Sequence, residues 1–207
     1  MKVILVGFLA LFCVGNALAG TMKDPRDGKT YKTVKIGNQV WMAENLNYDV
    51  EGSVCYDNKP ANCKKYGRLY TLYAASCPSG WHLPSKEEIK AFLEAVKKRT
   101  EHIVIQKELS GKSLKKGEDE TSYHLRSVSW KGGFNTFGFS ALPAGNYTGA
   151  PLNRFLNLGS QTVFWAGICD WGGSYGLIIG PGGDAYFNGI SEKCSADHKY
   201  SVRCLKD

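Results

Sequence analysis

The chain has 207 residues, with 26 Lys and Arg against 19 Asp and Glu and a formal net charge of +7. Hydrophobic residues make up 43% of the chain and charged residues 22%, which excludes a disordered, collagen-like or coiled-coil protein. The positive charge is modest and spread over several segments, without a basic stripe that alternates with aromatic residues. We therefore expect no nucleic-acid partner.

The first nineteen residues are typical of a signal peptide. Lys2 precedes an apolar run at residues 3–15, and Ala17-Leu18-Ala19 is a small-x-small cleavage site. The run is too short to span a bilayer as a helix, and no later segment has about 18 apolar residues in succession. We expect a signal peptide at 1–19, a single domain at 20–207 without a transmembrane segment, and a secreted or outer cell-surface protein. The alternative is an uncleaved N-terminal anchor.

Removal of the signal peptide leaves an even set of six cysteines. An even number in an exported chain indicates disulfide bonds. The residues concerned are Cys55, Cys63, Cys77, Cys169, Cys194 and Cys204. Their spacing alone leaves every connectivity open. No pair has the C-x-x-C spacing of a zinc knuckle or a thioredoxin-type site, so neither of these sites is indicated.

The first regular elements of the domain are predicted to be two strands. Tyr31–Ile36 and Gln39–Ala43 are strand-like, and Gly37-Asn38 between them tolerates the positive φ of a tight hairpin turn. A turn-rich loop follows between Cys55 and Cys63, and a short helix is expected over Leu69–Ala75.

The clearest helix signal begins at Ser85. Ser85 and Glu88 form a capping box, in which each residue satisfies a backbone N–H of the first turn. An apolar stripe follows with helical spacing, made of Ile89, Phe92, Leu93 and Val96. The pattern predicts a helix from Lys86 to Arg99 with basic residues in its last turn, as the helix dipole favours.

The second half of the chain has a different composition. Residues 132–191 hold 14 of the 24 glycines and 11 of the 25 aromatic residues, but only three charged residues, Arg154, Asp170 and Asp184. Short apolar pieces predict strands at Phe137–Leu142, Thr162–Ala166, Gly176–Ile179 and Tyr200–Cys204. The chain as a whole is predicted to be α+β, with two helices first, then short antiparallel sheets with long glycine- and aromatic-rich loops.

Five separated motifs resemble the Fibrobacter succinogenes major paralogous domain family. They are residues 31–46 (YKTVKIGNQVWMAENL), 66–70 (YGRLY), 77–85 (CPSGWHLPS), 138–143 (GFSALP) and 201–204 (SVRC). The resemblance covers roughly residues 24–207 and follows the family's motif order. It implies a surface or secreted protein whose fold is similar to C-type lectins and to formylglycine-generating enzymes.

The resemblance also implies a disulfide pattern. C-type lectin domains nest one bridge inside another, with an early-helix cysteine joined to the last strand. Mapped onto this chain, that pattern gives Cys77–Cys204 outside and Cys169–Cys194 inside, and leaves Cys55–Cys63 as a local bridge.

Metal chemistry known in similar folds is not expected here. Calcium-dependent lectins carry Glu-Pro-Asn or Gln-Pro-Asp and a later Trp-Asn-Asp, and this chain has neither. The copper(I) of formylglycine-generating enzymes needs two thiols, whereas the implied bridges use all six cysteines. His82 is expected to be a core imidazole. We therefore expect no catalytic residue, no metal and no cofactor.

The uncharged aromatic half supplies the predicted ligand-binding residues. They are Trp171 and Tyr175, with Asp170, Asp184, Tyr186 and Asn188 nearby in the sequence. Aromatic rings stack on the C–H faces of sugars, and Asp and Asn bond to sugar hydroxyls. We therefore expect a non-catalytic binding module for polysaccharide. The alternatives are a protein–protein or structural surface module that binds a surface protein, plain core packing of these aromatic residues and, as a lesser one, a copper-dependent oxidase.

Overall fold

A computed structural model describes residues 19–170, 173–191 and 197–207. The predicted signal peptide lies outside these ranges apart from Ala19, and so do Trp171 and Cys194. Within the described ranges the chain is predominantly β, with three α-helices, in agreement with the α+β class. None of these helices combines the length and the apolar character that a membrane span requires.

Strands and helices are interspersed along the described part of the chain. The strands are β1 (Ala19–Lys23), β2 (Thr30–Ile36), β3 (Gln39–Met42), β4 (Ser53–Val54), β5 (Leu69–Tyr70), β6 (Trp81–His82), β7 (Ala144–Thr148), β8 (Arg154–Leu158), β9 (Thr162–Asp170), β10 (Gly173–Ile179), β11 (Tyr186–Ser191) and β12 (Leu205–Lys206). The helices are α1 (Pro60–Tyr66), α2 (Lys86–Leu109) and α3 (Thr121–Leu125), and a single 3-10 turn covers Tyr56–Asn58.

Two five-stranded sheets form the frame. The first has the order β1-β2-β3-β12-β6, and the second has the order β11-β10-β9-β7-β8. Every described strand pair is antiparallel except β7 with β9. The prediction of helices first and sheets afterwards is wrong, because β1, β2 and β3 of the first sheet precede every described helix. Strand β12, from the end of the chain, inserts between β3 and β6 of the same sheet.

Helix α2 begins as the sequence predicts and ends later. The Ser85 side chain accepts from the Glu88 N–H, and the Glu88 carboxylate accepts from the Ser85 N–H, so the capping box is confirmed. The helix continues past Arg99 to Leu109. It does so because no glycine or proline interrupts residues 100–109, and the first glycine afterwards is Gly111.

The apolar stripe of α2 packs across both sheets. Ile89, Phe92 and Val96 are fully buried in one cluster with residues from β2, β3, β9 and β10. Successive residues of β9 alternate between the two cores: Phe164 belongs to the α2 side and Trp165 to the second cluster. The second sheet is therefore covered on both faces.

Three predicted elements are wrong. Leu69–Ala75 is not a helix, because Tyr70 exchanges two backbone hydrogen bonds with Tyr200 and Leu69 pairs with Val54. Residues 137–142 form no strand and make only a bridge from Ala141 to Arg126. Residues 200–204 make isolated bridges, and the ladder begins at 205. For Leu69–Ala75, tertiary pairing decides against the local pattern.

Two disulfides are formed within the described residues. Cys55 is bonded to Cys63, and Cys77 is bonded to Cys204, as the resemblance implies. Cys77 lies in the loop ahead of β6 and not in a helix. The third implied pair involves Cys194, which lies outside the described residues.

Candidate functional site

A fully buried arginine joins distant parts of the chain. The Arg203 guanidinium donates to Asn45 Oδ1 at 2.8 Å and to the carbonyl oxygens of Ser140, at 2.9 Å, and Phe139. Its central carbon lies 4.3 Å from the centroid of the Phe139 ring. No Asp or Glu of the described residues pairs with it. Burial lowers the pKa of Arg203 to about 9, so the group stays charged at neutral pH.

This Arg203 network (Arg203, Asn45, Phe139 and Ser140) brings the five motifs together. The Asn45 amide also donates to the Tyr66 carbonyl at 2.8 Å. A Cβ on the next residue, Gly67, would lie 2.7 Å from Asn45 Cβ, and its φ of +76° also favours glycine. The neighbouring Cys204 carries the disulfide to Cys77 in the third motif. These motifs therefore build the frame of the domain.

Tyr175 is less exposed than the sequence suggests. Its ring stacks on Phe187 with 5.5 Å between centroids and 9° between planes, and both rings pack against the α2 core. The Lys86 ammonium lies 5.4 Å from the Tyr175 ring centroid. One face of Tyr175 is therefore already covered.

Asp184 holds two elements together. Its carboxylate accepts from the Thr121 N–H at 3.1 Å and from the Thr121 hydroxyl at 2.9 Å. The same hydroxyl accepts from the Ala185 N–H, and the Glu120 carboxylate accepts from the Gly183 N–H. Residues 183–185, which we call the latch, thus dock on the start of α3, and the Asp184 carboxylate is engaged in that docking.

Tyr186 and Asn188 are two exposed residues of the predicted set. They lie two residues apart on one face of β11, at the edge of the second sheet as described. Tyr186 is 46% exposed and Asn188 is also exposed. Asn188 Oδ1 accepts from the Gly189 N–H at 2.9 Å.

The structure therefore divides the six predicted residues. Tyr186 and Asn188 lie together, whereas Tyr175 pairs across from Gly189 on the opposite face of the sheet. The Asp170 backbone pairs with Gly173 at the end of β9, and Trp171 lies outside the described residues.

The sequence analysis missed a cleft of about 480 Å³ between β2 and α1. We call it the basic cleft, because its lining includes Lys29, Lys32, Lys64 and Lys65. Pro60, a good first residue of a helix, is the sequence signal for α1. Pro60 predicts where α1 begins, but it does not predict that Lys64 of α1 lies near Lys32 of β2, which is more than thirty residues earlier in the chain.

His82 lies between two carboxylates and not in the core. Its Nδ1 is 2.6 Å from an Asp207 oxygen and its Nε2 is 3.0 Å from a Glu88 oxygen. Ionised carboxylates only accept, so the imidazole donates from both nitrogens as a cation. Burial alone would lower the pKa of His82, but these hydrogen bonds outweigh burial and raise it. The side chain is 38% exposed, so the prediction of a core imidazole is wrong.

Metal-binding geometry is not found in the described ranges. No group of three His, Cys, Asp or Glu side chains there is arranged to hold an ion.

Comparison with known proteins identifies the family. The sequence profile of the Fibrobacter succinogenes major domain matches residues 34–206. No curated protein and no solved structure matches the chain significantly. The matched segment contains all of the Arg203 network and the bridge from Cys77 to Cys204. The chain belongs to the Fibrobacter succinogenes major domain family.

Proposed function

We propose that the chain is a secreted or cell-surface, non-catalytic binding module with a C-type-lectin-like fold, and that its ligand is a polysaccharide. The observation that carries the proposal is the exposed pair of Tyr186 and Asn188 on one face of β11. A flat aromatic ring beside an amide is the arrangement that sugar rings require. The ring covers C–H groups, and the amide bonds to hydroxyls.

The latch supports the proposal because it fixes this pair in space. Asp184, two residues before Tyr186, is hydrogen-bonded to α3, and Ala185 between them is buried. A surface that is ordered before binding loses little conformational entropy when a ligand arrives.

The cysteines support both the oxidising compartment and the absence of copper chemistry. Two bridges already engage Cys55, Cys63, Cys77 and Cys204. Disulfides persist in exported proteins, and a bridged cysteine has no thiolate to offer to copper(I). Joining Cys169 to Cys194 would leave the mature protein without a free thiol, as the proposal expects.

The proposal is tested by binding to insoluble polysaccharides. Tyr186→Ala should weaken binding about five-fold, the order expected for loss of one aromatic contact. Asn188→Ala should weaken it as well. Tyr73→Ala is the matched control, since Tyr73 is 76% exposed in the turn after β5 and is not part of β11.

Unchanged binding by the Tyr186 and Asn188 variants would contradict the proposed surface. If Trp171→Ala alone abolished binding, the ligand contact would be assigned to the residues that connect β9 to β10 instead. If no polysaccharide were bound while a protein partner was captured reproducibly, the protein–protein alternative would be favoured.

A further inference from the structure

The basic cleft holds positive charge that the described residues do not neutralise. Lys32, Lys64 and Lys65 are exposed there, and none of them forms an ion pair within the described part of the chain. Lys29, which also lines the cleft, differs because its ammonium pairs with Asp27 at 2.9 Å. The three ammonium groups are therefore available to an anionic ligand.

One carboxylate lines the cleft, and it does not cancel the lysines. Glu44 accepts from the backbone N–H of Lys32 at 2.7 Å, and among the residues that the structure describes no ammonium lies within ion-pair distance of it. Three cations against one carboxylate leave the cleft with a net positive charge.

The buried Arg203 guanidinium adds to the positive electrostatic potential of the basic cleft, because it lies directly beneath residues that line the cleft. Asn45 and Ser140 line the cleft and are both bonded to the buried Arg203 guanidinium. A charge in a low-dielectric interior is weakly screened, so its field extends into the adjacent cleft.

The remaining lining suits a sugar chain. Tyr66 is half-buried in the wall, with the Lys65 ammonium 4.9 Å from its ring centroid, and Asn47, Ser127 and Ser140 offer polar groups. A volume of about 480 Å³ lies within the usual range for small-molecule sites.

We propose that the basic cleft binds the carboxylate groups of an acidic polysaccharide. This inference rests on the proposed polysaccharide-binding function and names a second contact, separate from Tyr186 and Asn188. The ammonium groups of Lys32, Lys64 and Lys65 pair with uronate carboxylates, and the hydroxyl and amide groups bond to the sugar hydroxyls.

The test uses polygalacturonate as the probe and fully methyl-esterified polygalacturonate as its uncharged counterpart. The wild-type protein should bind the acid form, lose affinity as salt is raised, and bind the ester at least about ten-fold more weakly. The triple variant K32Q/K64Q/K65Q should bind the acid form about ten-fold more weakly than the wild type, since each exposed ion pair contributes a factor of a few.

The matched control is K90Q/K97Q/K98Q, which removes the same charge from exposed positions of α2 and should bind like the wild type. Glu44→Gln keeps an acceptor for the Lys32 N–H and should strengthen binding. If both triple variants bound polygalacturonate equally weakly, the effect would be one of net charge alone, and the assignment of the site to the basic cleft would be wrong.

The remaining outcomes separate the two proposals. If the protein binds neutral polysaccharides but not polygalacturonate, the proposed role of the basic cleft is wrong and the proposed polysaccharide-binding function still stands. Binding to neither overturns both. Tighter binding to poly-glutamate or to single-stranded DNA than to polygalacturonate overturns the assignment to a polysaccharide.

Discussion

Arg203 is a charged side chain that no carboxylate neutralises among the described residues. Its hydrogen-bond partners are two backbone carbonyls and the Asn45 amide oxygen, from segments more than sixty residues away in the chain. A planar guanidinium can reach all three acceptors at once, which an ammonium group cannot. The geometry of this single side chain therefore sets the relative positions of three segments.

Arg203→Met is expected to lower the free energy of unfolding by about 2–4 kcal/mol, because it takes the donor from three acceptors, two of them on buried residues, while removing one buried charge. Arg203→Lys should be destabilising too. The measurement is urea unfolding, with Arg99→Met on the exposed surface of α2 as a control that should change stability by about 0.5 kcal/mol or less. An Arg203→Met protein as stable as the wild type would show that the network does not hold the fold.

At the scale of elements, His82 joins β6 to the first turn of α2 and to Asp207. The pKa of His82 is raised in the folded state, so its stabilisation is complete below the ordinary value of about 6.5 and is lost as the pH rises through the raised pKa. Burial would raise the pKa of Glu88, but hydrogen bonds from Ser85 and His82 lower it. The contribution of Glu88 is therefore lost as the pH falls below about 4.5.

The folded protein should therefore lose about 0.5–1 kcal/mol of stability from these ion pairs between pH 5.5 and pH 8.5, the order expected for partly exposed pairs. His82→Asn should reduce the change in unfolding free energy over this pH range. Urea unfolding at both pH values provides the measurement, and His102→Asn, at an exposed position of α2, should keep the wild-type slope. An unchanged slope in the His82 variant would rule out the imidazole as the source.

Elements with a complete local signal could be predicted from the sequence. The examples are the capping box, the apolar stripe of α2 and the glycine turn between β2 and β3. Each of these signals is formed by residues that lie only a few positions apart in the sequence. Leu69–Tyr70 could not be predicted, because its strand depends on Val54 and Tyr200. A segment whose apolar residues have helical spacing still forms a strand when the segments on its two sides, here those of Val54 and Tyr200, offer backbone hydrogen bonds.

At the scale of the whole molecule, the two described disulfides close loops of very different length. They separate residues by 127 and by eight positions. In the chain-entropy model, the longer loop restricts the unfolded state by about 5 kcal/mol and the shorter by about 2.5 kcal/mol.

Replacing Cys77 and Cys204 by alanine should therefore lower the unfolding free energy about twice as much as replacing Cys55 and Cys63. Urea unfolding of the two double variants under non-reducing conditions tests this ranking. Equal losses, or a larger loss for the short loop, would contradict an origin in the unfolded state.

The candidate site could be predicted only in part, because its residues become neighbours through folding. Tyr186 and Asn188 lie close in sequence and were found together. The basic cleft combines Lys32 with Lys64 and Lys65, and nothing in the local sequence links them. Asp184 resembles a polar ligand contact in the sequence, yet the fold bonds it to Thr121.

The Arg203 network has a consequence for how relatives of this chain are compared. The five recognisable motifs meet at one buried arginine and its neighbouring bridge, whereas Tyr186, Asn188, Lys64 and Lys65 lie outside the motifs and are exposed. Two proteins that share every motif then share a scaffold, and their binding preferences can diverge independently of it. Specificity is best transferred from one relative to another by matching these surface positions, and overall similarity is a poor substitute for that match.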